Sequence, residues 1–385
     1  MALDAETFDQ LLNNVTRFVR ERLLPAESRV SKEDQIPDDI IADMRKLGLF
    51  GLTAPEKYGG LGLSVEEEMR VVFEISFASA AFRSLIGTNN GVGSQGIVVA
   101  GTEEQRQKYL PKIASGDIIA SFALTEPGSG SDAGSLKTKA VKQGDNWILN
   151  GTKRFITHAP KAGLFTVFAR TDPRSSNKSG VSAFLVERGS PGLSLGKPYK
   201  KMGQQGAHIC DVIFEDCVIP NTSLLGKEGG GFDMAMRLLD RGRLHVASAC
   251  IGAAERLIHE ALTYAIDRRQ FGKPIAEFQL IQAMLADSRT EALAGRSMIL
   301  ETARLRDRGG SVRMEASCCK LFCSEMVGRI ADRAVQILGG AGYIADYGIE
   351  RMYRDVRLFR IYEGTSQIQQ LVIARQMIKA ANSKR

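Results

Sequence analysis

The sequence predicts an α+β protein with an N-terminal helical domain, a small central antiparallel β domain and a C-terminal four-helix bundle. Three patterns carry that expectation. Apolar residues recur at three- and four-residue spacing through the first third of the chain. The middle third breaks into short β-branched and aromatic runs bounded by turn residues. Helical spacing returns after Gly229-Gly230-Gly231 and persists to the end. With 385 residues and 44% apolar composition the chain can bury a large core, and the divisions are expected at residues 1–120, 121–228 and 229–385.

Taken in order, Phe8, Leu11, Leu12, Val15, Phe18 and Val19 form one face of an amphipathic helix that Pro25 ends or bends. A second helix is expected from about Asp38 to Leu47. The glycine-rich stretch Lys57–Leu63 is a turn, and helical spacing returns from Val65 to about Ser79 and from Glu103 to Ile113. Trp147–Leu149, Leu164–Ala169, Val181–Val186 and Asp211–Phe214 read as strands. Asn150-Gly151 predicts a hairpin turn between Trp147–Leu149 and Thr152–Ile156. Four long helical segments follow, Phe232–Arg268, Ala276–Leu305, Val312–Leu338 and Ser366–Ala381, with Gly309-Gly310 and Gly339-Gly340 between three of them; their short connections favour a bundle. Strands and helices do not alternate, which argues against a dinucleotide-binding parallel sheet.

Composition excludes some chemistry. The net charge of +7, from 51 Lys+Arg against 44 Asp+Glu, is spread along the chain and suits a phosphate-bearing substrate or a nucleic acid equally. No C-x-x-C pair and no H-E-x-x-H occurs among the six cysteines and four histidines, so no metal site is expected. Cys319 and Cys323, one helical turn apart, read as buried free thiols, which fits a reducing compartment. The opening MALDAETFDQ resembles neither a secretory nor a transit segment, and no apolar run of about 18 residues exists to span a membrane. The expected location is the cytoplasm.

Three segments are unusual enough to carry chemistry. In Leu124-Thr125-Glu126-Pro127-Gly128-Ser129-Gly130-Ser131-Asp132, small residues let the backbone approach a ligand, and Thr125 and Ser131 offer hydroxyls; an ordinary β-domain turn fits as well. Phe155 and Thr157 share one face of a strand, which suits a flat heteroaromatic ring or simply a core. In Ile361-Tyr362-Glu363-Gly364-Thr365-Ser366 a carboxylate precedes a flexible glycine and two hydroxyls; a capped helix start accounts for that spacing equally.

Together these segments resemble the acyl-CoA dehydrogenase family over nearly the whole chain. The likeness rests on LTEPGSGSD, on FIT, on RRQFG at 268–272, on QILGGAGY at 336–343 and on IYEGTSQIQ at 361–369. It implies an FAD enzyme of fatty-acid β-oxidation type in which Glu363 removes the α-proton of an acyl-CoA and a β-hydride passes to flavin N5, giving a trans-2-enoyl-CoA. By that resemblance Phe122, Leu124, Thr125, Gly130, Ser131, Phe155 and Thr157 meet the flavin. Arg268, Phe271, Gln336, Gly339, Gly340, Thr365 and Gln367 meet the rest of FAD, partly from a neighbouring subunit. Ser131, Asp240, Arg243 and the Gly364 N–H meet the substrate. A homo-oligomer, by family a tetramer, and an electron-transferring flavoprotein as redox partner are implied.

Some positions depart from the family's pattern. Phe155 stands where tryptophan is usual, and His158 follows Thr157 where many relatives have Asn-Gly; a place near the flavin is the alternative, and a structural position at the surface is expected for it. Some relatives place the base on the long helix, at the position of Gly242 here, and glycine cannot serve, so the resemblance leaves Glu363 as the base. Arg83, in Ala80-Ala81-Phe82-Arg83-Ser84, is similar to the arginine by which glutaryl-CoA dehydrogenases meet a distal carboxylate. A simple acyl chain is the default substrate and a dicarboxylyl-CoA the alternative. A DNA-binding alkylation-response flavoprotein and an acyl-CoA oxidase are the competing classes, although both types are longer than this chain.

Overall fold

In the computed structural model, which describes residues 3–172, 174–175 and 180–383, the first helical face becomes α1 (Ala5–Phe18), whose Phe8, Val15 and Phe18 are buried. Met1 and Ala2 of the acidic opening stretch lie outside the described residues. Pro25 does not end this helix. One wide π turn, Val19–Leu23, carries the chain into α2 (Leu24–Glu33), with the proline in its first turn. Proline has no N–H to donate and its ring crowds the carbonyl four residues back, so a locally widened turn accommodates it without a break.

Helix α3 (Asp38–Lys46) follows, then a turn through Gly59, and α4 (Val65–Ile75), which starts on a Ser64–Glu67 capping box. Such a cap contributes about 1 kcal/mol. Three further helices complete the segment: α5 (Ala80–Thr88), α6 (Gln95–Ala100) and α7 (Glu103–Ala114), the last with its own box from Thr102 and Gln105. Periodicity did not announce α5, because its buried positions include Arg83 and Ser84 as well as Phe82 and Leu85.

Among the described residues the central sheet has eight strands. They are β1 (Ala120–Ala123), β2 (Lys139–Gln143), β3 (Asn146–Thr157), β4 (Leu164–Arg170), β5 (Val181–Glu187), β6 (Leu193–Leu195), β7 (Ile209–Pro220) and β8 (Leu224–Leu225). The order is β6-β7-β3-β2-β4-β5-β8, with β1 alongside β4. Most pairings are antiparallel, while β1 and the end of β2 meet β4 in parallel. Strands β4 and β5 are buried on both faces, since one apolar cluster lies on each side of the sheet.

The hairpin expected at Asn150-Gly151 is absent. Strand β3 runs straight through it, and both halves pair with the same partner, β7, with a register shift between Leu149 and Gly151. Gly151, at φ +147°, lies so close to the Thr138 backbone that a Cβ would overlap it. The dipeptide makes a bulge in one long strand instead of a turn between two.

The C-terminal segment contains α8 (Gly231–Asp267), α9 (Gln279–Asp307), α10 (Arg313–Leu338), the short α11 (Ile349–Val356) and α12 (Ser366–Asn382). A two-stranded hairpin, β9 (Arg269–Gln270) and β10 (Lys273–Pro274), links α8 to α9. One core joins α4, α8, α9 and α10, with Cys250, Cys319 and Cys323 buried in it as free thiols. Among the described residues no helix is long and apolar enough to cross a membrane.

Candidate active site

A cavity of about 620 Å³ opens where α5, the first turns of α8, the ends of β1 and β3, and the loop before α12 converge. Glu363 lies in its wall. The residue is half-buried, yet its Oε2 is fully enclosed and has no hydrogen-bond partner. Its backbone is left-handed at φ +56°, and Gly364 follows at φ +91°. A non-glycine residue held there needs support from its surroundings. That support is two buried side chains. Gln369 Nε2 donates to the carbonyls of Glu363 and Gly364 at 3.1 and 2.9 Å, and Lys320 Nζ donates to Gly364 O at 2.7 Å. Thr365 caps α12 by accepting from the Ile368 N–H at 3.3 Å. Across from the carboxylate stands Gly242, where a Cβ would overlap Glu363 Oε2.

Electrostatics favour a reactive carboxyl. Burial raises the Glu363 pKa above the ordinary value, while Arg83, Arg243 and Lys320 oppose the rise. Burial likewise pushes the Lys320 ammonium down to about 8. Arg243 Nη1 donates to Asp240 Oδ1 at 2.6 Å, and its enclosed Nε has no partner.

The opposite wall is built by the sheet. Ser121 Oγ on β1 donates to Thr157 O at 2.8 Å and fixes the end of β3. Lys153, fully buried, bonds Leu124 O at 3.1 Å and Glu126 Oε1 at 2.7 Å; Glu126 also accepts the N–H groups of Lys137 and Thr138. That buried pair pins the 124–132 loop, so Leu124, Thr125, Gly130 and Ser131 line the cavity with Phe122, Phe155 and Thr157.

Part of the lining is polar. Arg83, on α5, is buried and gives Nε–H and Nη2–H to His245 Nδ1 at 3.1 and 2.8 Å, and Nη1–H to Tyr362 Oη at 3.2 Å. Asn89 and Asn90, just past α5, hold that helix by bonding the backbone of Leu49, Phe50, Ile86, Ile113 and Ala120. Beside Arg83, Arg241 donates twice to the buried Glu68 Oε2, at 3.0 and 2.6 Å.

Family models for the N-terminal, middle and C-terminal domains of acyl-CoA dehydrogenase match residues 5–117, 121–217 and 229–378. The chain belongs to the acyl-CoA dehydrogenase family. Among curated relatives, an acyl-CoA dehydrogenase of Bacillus subtilis is 43% identical over 94% of this chain and 96% of its own. The human short-chain specific acyl-CoA dehydrogenase is 42% identical over 98% and 92%. A caffeyl-CoA reductase-Etf complex subunit of Acetobacterium woodii is 41% identical over 96% and 98%. Butyryl-CoA dehydrogenase from Megasphaera elsdenii superposes with a TM-score of 0.94 at 33% identity, covering 98% of this chain and 100% of that one. A glutaryl-coenzyme A dehydrogenase in complex with glutaryl-CoA gives 0.94 at 31%, covering 98% and 96%. An acyl-CoA dehydrogenase from Bacillus anthracis complexed with FAD gives 0.92 at 34%, covering 99% and 68%.

As an acyl-CoA dehydrogenase, this chain is an oxidoreductase acting on CH–CH groups, and its cofactor is FAD. The residues present fit that group. The backbone at Gly128 and Gly130 faces open space, so a ligand can approach it closely. A second groove, of about 1150 Å³, gathers Arg268, Phe271, Gly339 and Gly340 away from Glu363. Phe271 is 94% exposed there.

Not every expected site residue reaches a cavity. Asp240 does not line the one holding Glu363; it is the counterion of Arg243. Gln336 and Gln367 are exposed, on the last turn of α10 and the first turn of α12. His158 is not on the surface. It is 2% exposed, its Nε2 lies 3.1 Å from Ser84 Oγ, and burial depresses its pKa to about 3. Its left-handed backbone, at φ +57°, turns the ring inward from the end of β3. Sequence reasoning assigned nothing to Glu68, Arg241, His245, Lys320, Tyr362 or Gln369. A lysine within the apolar stretch around Cys319 is the one signal that pointed to a buried cation.

Proposed function

We propose that this enzyme oxidises a short acyl-CoA thioester across its α,β bond, with Glu363 as the base and Arg83 receiving a carboxylate at the far end of the acyl chain. The observation that carries the chemistry is the enclosed, unpartnered Glu363 Oε2 in the cavity wall. Only a carboxylate freed from water and from other donors is basic enough to take a proton from a thioester α-carbon. Gln369 and Lys320 hold the Glu363–Gly364 backbone, and the Gly364 N–H is then available to the thioester carbonyl, where negative charge develops as the proton leaves.

FAD, when bound, supplies the acceptor for the hydride that leaves the β-carbon. Phe122, Leu124, Thr125, Gly130, Ser131, Phe155 and Thr157 would hold its flavin end. Arg268, Phe271, Gly339 and Gly340 would hold the far end, from a second copy. Exposed Phe271, Leu280 and Ile344 around that groove support a homo-oligomer, which we read as a tetramer. The name of the A. woodii relative supports an electron-transferring flavoprotein as redox partner. The buried free cysteines support a reducing compartment, the cytoplasm.

The substrate class follows from Arg83. A simple acyl chain leaves the buried guanidinium hydrogen-bonded to neutral groups only, whereas a carboxylate would engage it bidentately. The likeness to the glutaryl-CoA complex supports the same reading. The test is anaerobic flavin bleaching by butyryl-, octanoyl- and glutaryl-CoA in wild type, Glu363→Gln and Arg83→Met. We expect Glu363→Gln to slow bleaching by roughly 10²–10⁴-fold, and Arg83→Met to lose glutaryl-CoA selectively. Bleaching by Glu363→Gln within tenfold of wild type rules out that base.

A further inference from the structure

Four arginines line the cavity; Arg375, on α12, is exposed, and the other three, Arg83, Arg241 and Arg243, are treated differently. Arg241 is paired with Glu68 at 2.6 Å and Arg243 with Asp240 at 2.6 Å. Arg83 is buried and has no ion pair among the described residues, although its charge is felt by Glu363 and Glu68. Its plane is instead fixed by one imidazole and one phenol. Two N–H groups converge on the same nitrogen, His245 Nδ1, so that nitrogen must carry a lone pair and the ring proton must sit on Nε2. The surroundings enforce neutrality. Burial, then the charges of Arg83 and Arg241, hold the His245 pKa well below its usual value. Nε2 itself is enclosed without a partner, so nothing nearby favours a second proton's charge.

We infer that His245 is the specificity-determining residue of this pocket: an uncharged acceptor that orients Arg83 without neutralising it, reserving the guanidinium charge for an anionic acyl tail. The inference rests on the carboxylate reading of Arg83 and adds the reason that charge stays available. A carboxylate in the same place would orient Arg83 equally well but would occupy its charge, and an anionic tail would then meet a neutral pair.

Asparagine and aspartate separate orientation from charge, because they have the same shape and Asn Oδ1 stands near the place of imidazole Nδ1. Holoenzymes of wild type, Arg83→Met, His245→Asn and His245→Asp are compared with glutaryl-CoA and butyryl-CoA, resolving kcat from KM. We expect His245→Asn to keep the glutaryl preference within about tenfold. His245→Asp should lose it by on the order of 100-fold, read as a rise in the KM for glutaryl-CoA relative to that for butyryl-CoA. If wild type shows no glutaryl preference and Arg83→Met changes nothing, the carboxylate reading falls and this inference with it. If wild type prefers glutaryl-CoA and Arg83→Met abolishes the preference, but the Asn and Asp variants behave alike, only the role of His245 falls. A readout independent of turnover is the imidazole ¹⁵N spectrum of histidine-labelled protein. The buried His158 ring should stay neutral; the His245 ring, assigned by its loss in His245→Asn, should also be neutral and Nε2-protonated between about pH 6 and 8 with Nδ1 as acceptor. A doubly protonated ring, or a proton on Nδ1, overturns the inference.

Discussion

Glu363 depends on what its neighbours lack as much as on what they supply. The carboxylate occupies space that Gly242 leaves open, so Gly242→Ala should displace it while leaving the fold in place. We expect turnover to fall by on the order of 100-fold, as for a misplaced reacting group, with flavin content and melting temperature close to wild type. Normal turnover in that variant would mean that the carboxylate works from another position. The same residue sets a pH signature. As the base proposed above, Glu363 must be ionised to accept a proton, and burial raises its pKa, so kcat/KM should climb with pH through a value above that of an ordinary glutamate. Lys320 opposes the rise; Lys320→Met removes a positive charge and should move the rising limb to higher pH. A limb that stays in place or moves to lower pH would contradict this placement of the charges. Residues in contiguous motifs, such as Glu363, Thr125 and Thr157, were legible because neighbours in sequence are neighbours in the site. The Arg83–His245–Tyr362 cluster was not, because its contacts join positions 162 and 279 residues apart.

At the level of elements, the long helices were legible to within a few residues. Phe232–Arg268 was expected and Gly231–Asp267 is found, because burial against α4, α9 and α10 follows the 3.6-residue spacing. Elements that bury polar groups were missed, α5 above all. The Asn-Gly dipeptide misled because turn preference is local, whereas strand pairing is decided by the partner, here a single long β7. Helix α11 carries a testable polar contact. Its Asp355 is buried, bonds the backbone N–H of Gln204, and is pushed up to about 6 by burial, against that N–H and the charges of Arg351 and Arg354. In the folded chain the proton stays on up to about pH 6, while the unfolded chain releases it near 4. The contribution to stability is therefore full below about pH 4 and is lost as pH rises through 6, by at most about 3 kcal/mol. Asp355→Asn keeps the acceptor and removes the titration. Its melting temperature relative to wild type should rise steadily from pH 4 to pH 7; a constant difference would place the titration elsewhere.

On the scale of the whole molecule, the two grooves explain why one chain is expected to be insufficient. Arg268, Phe271, Gly339 and Gly340 lie together but away from the cavity that holds Glu363, and Phe271 projects from the β9–β10 hairpin almost fully exposed. Phe271→Asp should give a smaller particle by analytical ultracentrifugation and a lower flavin content at the same protein concentration. An unchanged particle would mean that this hairpin is not an interface. The sequence showed these residues as separate motifs. That they form one groove follows only from α8 and α10 ending at the same end of the bundle.

The shared space between Gly242 and Glu363 also constrains how such enzymes can change over time. An acid introduced at 242 while Glu363 remains would meet an occupied volume, and removal of Glu363 first would leave neither position with the proposed base. Either single step therefore crosses a fitness valley, and the two positions are epistatic for a steric reason. A lineage that moves its base from the loop to the helix needs both changes together, or a spare gene copy in which the silent intermediate can persist.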